Sequence, residues 1–438
     1  MSSLSHKPAP GADLAARLLR ASVMAPSARR RARVRVPSYP LPLAFALLAC
    51  GIAAYVALSS PTTGDYLIGV PAGADNAAPA IAALSHGHLA GLVSAQPLMG
   101  LLSLLMRAPL AALTTALGGG PLAVYRAGAL ICVLPAGVLA ARLAVPAARI
   151  SAPGVIAAGA VLISPPVLNA LRFGHPEEVL AATLAAAALL AAYRGRPALA
   201  GLLLGAAIGT KDWALIAALP TLIALPSGRR RAALIGGGVA LALSAPLPLL
   251  DPSAFARASG DLGRSHLVNA LSAWWPLGSR SASLPAAAPL VRVLPDHLTK
   301  AVALPVGLAA AAGLALVGTL GRPGARLRAR GRSVDAFALL CLLAVVRCVA
   351  DTGPVEYYYV ALVIPLAVWE ATILRRLPVA TLLTIAAVWF TYGRGTALPA
   401  DLLSALTLAW AGLLAGYLAF RAFRVGVDPR FELDMKAG

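Results

Sequence analysis

The sequence predicts an all-α, polytopic integral membrane protein with about a dozen transmembrane helices and further helices lying along the outer surface in its first external loop. Three observations predict it. Hydrophobic residues make up 59% of the 438 positions and charged ones only 12%, with a mean hydropathy of +0.79, far from the composition of a soluble globular domain. Apolar stretches of about 20 residues, the length that crosses roughly 30 Å of hydrocarbon, recur along nearly the whole chain. The arginines behind the formal net charge of +20 sit in short clusters between those stretches. That is the pattern of a positive-inside topology, not of a soluble basic face for nucleic acid.

Residues 1–40 form a basic N-terminal segment, with Arg17, Arg20, Arg29, Arg30, Arg31, Arg33 and Arg35 ahead of the first apolar run. No small-residue cleavage site follows the run from Leu41 to Ser60, so it is expected to stay as a signal anchor. The membrane domain is expected over 41–424, followed by a cytoplasmic tail, 425–438. Its spans are expected at 41–60, 120–143, 151–170, 177–193, 197–210, 213–227, 231–250, 301–320, 335–351, 357–374, 378–394 and 400–421. Threaded from a cytoplasmic N-terminus, the loops holding Arg142 and Arg149, Arg194 and Arg196, Arg229 to Arg231, Arg322 to Arg332, and Arg375 and Arg376 all fall inside. Both termini of this cell-membrane protein are then cytoplasmic. Asp65, Asp75, Glu177, Glu178, Asp212, Asp251, Asp261, Asp296, Asp351 and Glu356 gather outside.

This threading treats 96–118, QPLMGLLSLLMRAPLAALTTALG, as a surface helix within a first outer loop of about 61–119. Arg107 in its middle and the prolines Pro97 and Pro109 suit an interfacial position; a crossing here would reverse the parity. A second long outer loop, about 251–299, carries Arg257, Arg264, His266, Trp274, Trp275, Arg280, Asp296 and His297, and loops of this length are uncommon without a function or disorder. Cys50, Cys132, Cys341 and Cys348 lie in or beside apolar runs without CxxC spacing, which indicates neither a disulfide framework nor zinc. No internal repeat is evident, which counts against transporter folds built from duplicated halves.

Four polar constellations interrupt this apolar background. In the first outer loop Asp65 and Asp75 precede a helix-like stretch ending in His86 and His88. A carboxylate there can act as a general base, and Asp75 equally suits the N-cap of a helix beginning near Asn76. The third span ends in NALRFGHPEE, grouping Arg172, His175, Glu177 and Glu178; Pro176 with two acids is also an ordinary helix start. Lys211 and Asp212 separate two short apolar helices, where a charge is costly, so that Lys211 either pairs with Asp212 or meets an anion. Late in the chain RCVADTGPVEYYY places Arg347 about a turn before the end of its span, with Tyr357 to Tyr359 following. Arginine suits planar phosphate recognition, and an arginine snorkelling beside an aromatic belt is the plainer alternative. The histidines have no HExxH-like spacing, so solvated loop positions are expected in place of a metal site.

Taken together, the first-loop Asp followed by a small-residue helix and HGHL, the QPLMGLLSLLMRAP segment, GHPEE, GTKDWAL and RCVADTGPVEYYY resemble the GT-C class of membrane glycosyltransferases. The pattern is most similar to glycosyltransferase family 87, which contains polyprenyl-phosphate-mannose-dependent mannosyltransferases. Gly174-His175 departs from the Gly-Gln pattern usual there. The resemblance implies inverting transfer, without a covalent enzyme intermediate, of a mannose-like sugar from a polyprenyl-phosphate donor to a lipid or glycan acceptor on the external face. It implies a catalytic base at Asp75, with Asp65 as the fallback. Lys211, Arg347, Arg172 and Arg107 are the expected partners of the donor phosphate, and His175, Glu177, His86, His88, Gln96 and Tyr358 the expected substrate contacts. No metal or other cofactor is expected, since the lipid-linked sugar is itself a substrate. The rival expectations are a transporter or lipid flippase, with the same charges along a path, and a non-catalytic scaffold, with the charges scattered.

Overall fold

The computed structural model describes residues 40–60, 77–97, 99–263, 266–281, 289–321 and 334–423. They are overwhelmingly helical, and six stretches are long and apolar enough to cross a membrane: Leu41–Ser59, Pro121–Ala148, Ala152–Arg172, Pro176–Tyr193, Lys300–Leu320 and Ala400–Phe423. Leu101–Ala116, Pro197–Ile208, Asp212–Ala224 and Ala336–Ala350 are apolar but shorter. The expected count of a dozen full-length spans is therefore not reproduced among the described residues. The run expected at 357–374 is helical from Glu356 to Ile373 but changes type along its length, with a 3-10 turn Glu356–Tyr359, an α-helix Val360–Val368 and a π-helical turn Trp369–Ile373. The run at 231–250 breaks between Arg229–Ser244 and Pro246–Leu250.

Proline that breaks one helix starts the next. Pro121, Pro165, Pro176 and Pro197 each lie in a first helical turn, where the absent N–H would have lacked a helical acceptor anyway. Pro176–Tyr193 is the central helix; it is alanine-rich and nearly all of it is buried. It packs against Pro121–Ala144, Pro197–Ile208 and Val360–Val368. Small side chains let these backbones approach closely, which is how apolar helices gain packing energy when lipid is as apolar as protein. The same device joins Pro197–Ile208 to Arg229–Ser244, where a Cβ added at Gly201 would stand 2.4 Å from the Ala232 carbonyl oxygen.

The first-loop helix expected near Asn76 begins at Ala78, with Ala77 in the N-cap position. Asp65 and Asp75 lie outside the described residues. The segment read as a surface helix forms Leu101–Ala116. Its start is tied to the turn after Pro197–Ile208: the Gly100 N–H donates to the Thr210 carbonyl at 3.1 Å and the Leu102 N–H to the Gly209 carbonyl at 3.0 Å. A Cβ at Gly100 would lie 2.0 Å from the Gly209 oxygen, so only glycine permits this junction. Gly100→Ala is expected to lower stability by about 1–3 kcal/mol, as overpacking does, and to undock the helix. A thermal melt of the purified protein indistinguishable from wild type would refute this.

The segment 251–299, expected as a second outer loop, is structured over its described part, with a helix Pro252–Gly263 and two three-residue strands, Leu267–Asn269 and Val291–Val293, paired antiparallel. These strands are the one departure from the all-α expectation among the described residues. The loop caps the end of the Ala336–Ala350 helix, whose last carbonyls have no partner within the helix. Ala273 N–H donates to the Val349 carbonyl at 2.7 Å, Trp274 Nε1 to Ala350 at 2.6 Å and Ser272 Oγ to Asp351 at 2.6 Å.

Candidate active site

The helix ends described above bring one set of charges together. Glu177 and Glu178 open the Pro176–Tyr193 helix. Lys211 sits in extended conformation just ahead of the 3-10 turn Asp212–Ala217. Arg347 lies in the last turn of Ala336–Ala350, and Tyr357 and Tyr358 lie just before Val360–Val368. Arg107 projects from the Leu101–Ala116 helix. Because every group except Arg107 comes from a helix terminus, the cluster occupies one end of the bundle instead of its middle.

Glu177 is the hub. Its Oε2 accepts from Arg107 Nη1 at 3.3 Å, and its Oε1 stands 3.1 Å from His175 Nδ1 and 3.5 Å from Lys211 Nζ. Arg107 and Glu177 are both 0% exposed. Lys211 also stands 3.6 Å from Glu178 Oε1, and the indole Nε1 of Trp213 donates to Glu178 Oε2 at 2.7 Å. The cation of Arg347 packs between rings: its guanidinium carbon is 5.5 Å from the Trp213 centroid and 4.1 Å from that of Tyr358. Nη1 of the same residue donates to the Tyr358 carbonyl at 3.2 Å. The imidazole of His175 stacks on Tyr357 at 4.6 Å. Gly128 makes room for Arg107, since a Cβ there would come within 3.1 Å of its Nε.

Several expectations change in detail. Lys211 turns to Glu177 and Glu178, while the exposed Asp212 accepts from the Trp213 backbone N–H at 2.7 Å; two buried carboxylates outcompete a neighbour that can reach solvent. Arg107 does not face the outside of a surface helix, because the same buried carboxylate draws it inward. Arg172 is exposed, 6.0 Å from the Phe173 ring. Burial raises the pKa of Glu356 above the ordinary carboxylate value, against the lowering effects of the Asn169 hydrogen bond and the Arg172 charge.

His86 and His88 stack on each other in an exposed turn, with centroids 6.0 Å apart. Gln96 is buried, and its amide donates to the Val93 and Leu247 carbonyls at 2.8 and 3.0 Å. It fastens the first loop down. Glu178 and Trp213 belong to the site and were absent from the expected contacts. The signal for them was present in the doubled acid of GHPEE and the aromatic of GTKDWAL, since a tryptophan beside a buried charge needs an acceptor for its N–H.

No group of metal-ligating side chains occurs among the described residues. Compared with known proteins, the sequence matches no family model and no curated protein.

Proposed function

We propose that this protein is an inverting glycosyltransferase that moves a mannose-like sugar from a polyprenyl-phosphate donor to a lipid or glycan acceptor on the external face of the membrane. One observation carries the reading: Arg347 is a buried cation beside the Glu177–Glu178 cluster, and among the described residues no ion pair includes it. A buried cation aimed by aromatic rings and supported by neighbouring pairs suits an anionic group supplied by a ligand.

A leaving lipid phosphate gains negative charge as the anomeric bond breaks, and a fixed guanidinium in a poorly hydrated place stabilises that gain with little reorganisation. Arg347 takes this role. Lys211 and Arg107 hold Glu177 and Glu178, and His175 orients Glu177. The acceptor hydroxyl is a weak nucleophile whose proton must leave as the new bond forms. Asp75 takes it, with Asp65 as the fallback. Asp75 precedes by three positions the helix Ala78–Ser85, which packs on Leu101–Ala116 and so on the element that carries Arg107.

The side of the membrane follows from charge. Arg194 and Arg196 flank the far end of the same helix that Glu177 begins, so a positive-inside orientation puts the cluster outside. A transporter would need a path through the bundle, commonly at the midplane of broken, symmetry-related helices; a cluster drawn, Arg107 apart, from helix ends favours transfer.

Arg347→Met is the direct test, because it strands no paired carboxylate. Transfer of labelled sugar from a polyprenyl-phosphate donor in membranes is expected to fall in kcat/KM by about 10–100-fold, the worth of a charge-assisted hydrogen bond, with melting unchanged. Transfer at the wild-type rate would sink the assignment of the donor phosphate to Arg347.

A further inference from the structure

A second charged feature lies at the opposite end of the central helix. From Glu177 to Arg194 is 17 residues, or about 25 Å of helix, close to the thickness of the hydrocarbon layer. Here Arg142 from the last turn of Pro121–Ala144, Arg194 after Tyr193, and Arg196 before Pro197 stand together, all exposed. Among the described residues no ion pair includes any of the three. Partial burial, and after it the charges of Arg142 and Arg196, lowers the pKa of Arg194 from its ordinary value.

An apolar groove of about 580 Å³ leads to them, walled by Val138, Thr183, Ala187, Leu190, Leu199 and Leu203 from three helices. That volume falls within the roughly 300–1,000 Å³ of small-molecule sites. Positive-inside bias alone accounts for arginines at this end, but not for an open apolar trough that ends among three of them.

We propose that this groove is a binding site for an anionic glycerophospholipid, one acyl chain lying along Thr183–Leu190 and the phosphate headgroup resting on Arg142, Arg194 and Arg196. The match is one of charge and shape together. Each guanidinium offers a planar fork to phosphate oxygens, and a net negative headgroup relieves the repulsion of three clustered cations, which a zwitterionic headgroup with its own ammonium relieves far less. An acyl chain fills a trough that is apolar along its length. The headgroup end of the site lies at the opposite end of the central helix from Glu177, although the groove reaches as far as Met106 next to Arg107, and its proposed occupant does not depend on the proposed reaction.

The test uses the full-length protein in nanodiscs of equal phosphatidylglycerol and phosphatidylcholine, with retained lipid counted by native mass spectrometry. Phosphatidylglycerol is expected to be enriched on the order of tenfold over phosphatidylcholine, given three arginines near the headgroup. The variant R142Q/R194Q/R196Q is expected to lose the enrichment. Ala187→Phe, which fills the trough and leaves the charges, is expected to lower total retained lipid with melting unchanged. Inorganic phosphate is expected to give no thermal stabilisation, since it has no chain to bury. Equal retention of the two lipids by wild type overturns the proposal. So does enrichment that survives the triple substitution, stabilisation by phosphate alone, or preferential retention of a polyprenyl phosphate when that is added in competition.

Discussion

Glu177→Gln is expected to cost this protein about 3–5 kcal/mol, the range seen when one partner of a buried ion pair is removed. The reason is positional. One carboxylate, with no exposure to water, balances Arg107 at 3.3 Å, Lys211 at 3.5 Å and the His175 ring at 3.1 Å. A neutral amide of the same size keeps the packing but takes from Arg107 and Lys211 the carboxylate charge that both of them face. Lys211 is less stranded, because Glu178 remains 3.6 Å away. The double substitution Arg107→Met with Glu177→Met should therefore recover part of the loss, since it removes both charges of the fully buried Arg107–Glu177 pair. Thermal melts of the purified variants decide it; a Glu177→Gln protein that melts with wild type would mean that the charges around it are already screened.

The second large effect falls on chemistry. If Asp75 accepts the acceptor proton, Asp75→Asn should lower sugar transfer by about 10²–10⁴-fold, the usual contribution of a general base, with expression and melting temperature unchanged. Asp65→Asn should leave most of the activity. The reverse outcome, an inactive Asp65→Asn beside an active Asp75→Asn, would move the role to Asp65, and two fully active variants would remove the proposed base from the first loop. The pair of substitutions matters because Arg347→Met probes donor binding and these probe proton transfer, so the three together separate a wrong reaction from a wrong residue.

Composition and charge spacing were enough to predict a helical chain with membrane-spanning segments, because a long apolar run permits little else. The number of full spans was less legible for a local reason: Pro246 breaks a run that hydropathy alone joins, and the run over 357–374 changes helix type twice. Positions 175, 177, 211 and 347 were legible as ionisable groups at the edges of apolar runs, where burial demands a partner, while position 75, expected beside them, lies outside the described residues. Which partner was not legible. Lys211 has Asp212 beside it in sequence, yet its partners lie more than thirty positions away, and only the packing of Pro197–Ile208 on Pro176–Tyr193 selects them. Arg107 shows the same limit, since an arginine amid leucines fits a surface helix and a buried pair equally well until Glu177 is in place.

The junction of residues 100–102 with 209–210 has a further meaning for the two cations that flank Glu177. Arg107 leaves one of the joined segments and Lys211 leaves the other, so main-chain atoms set the distance between their roots, as a shared hinge plate sets the gap between two jaws. Rotamer changes can swing the tips but cannot widen the gap, so a ligand entering between the two cations meets a spacing already set by the backbone.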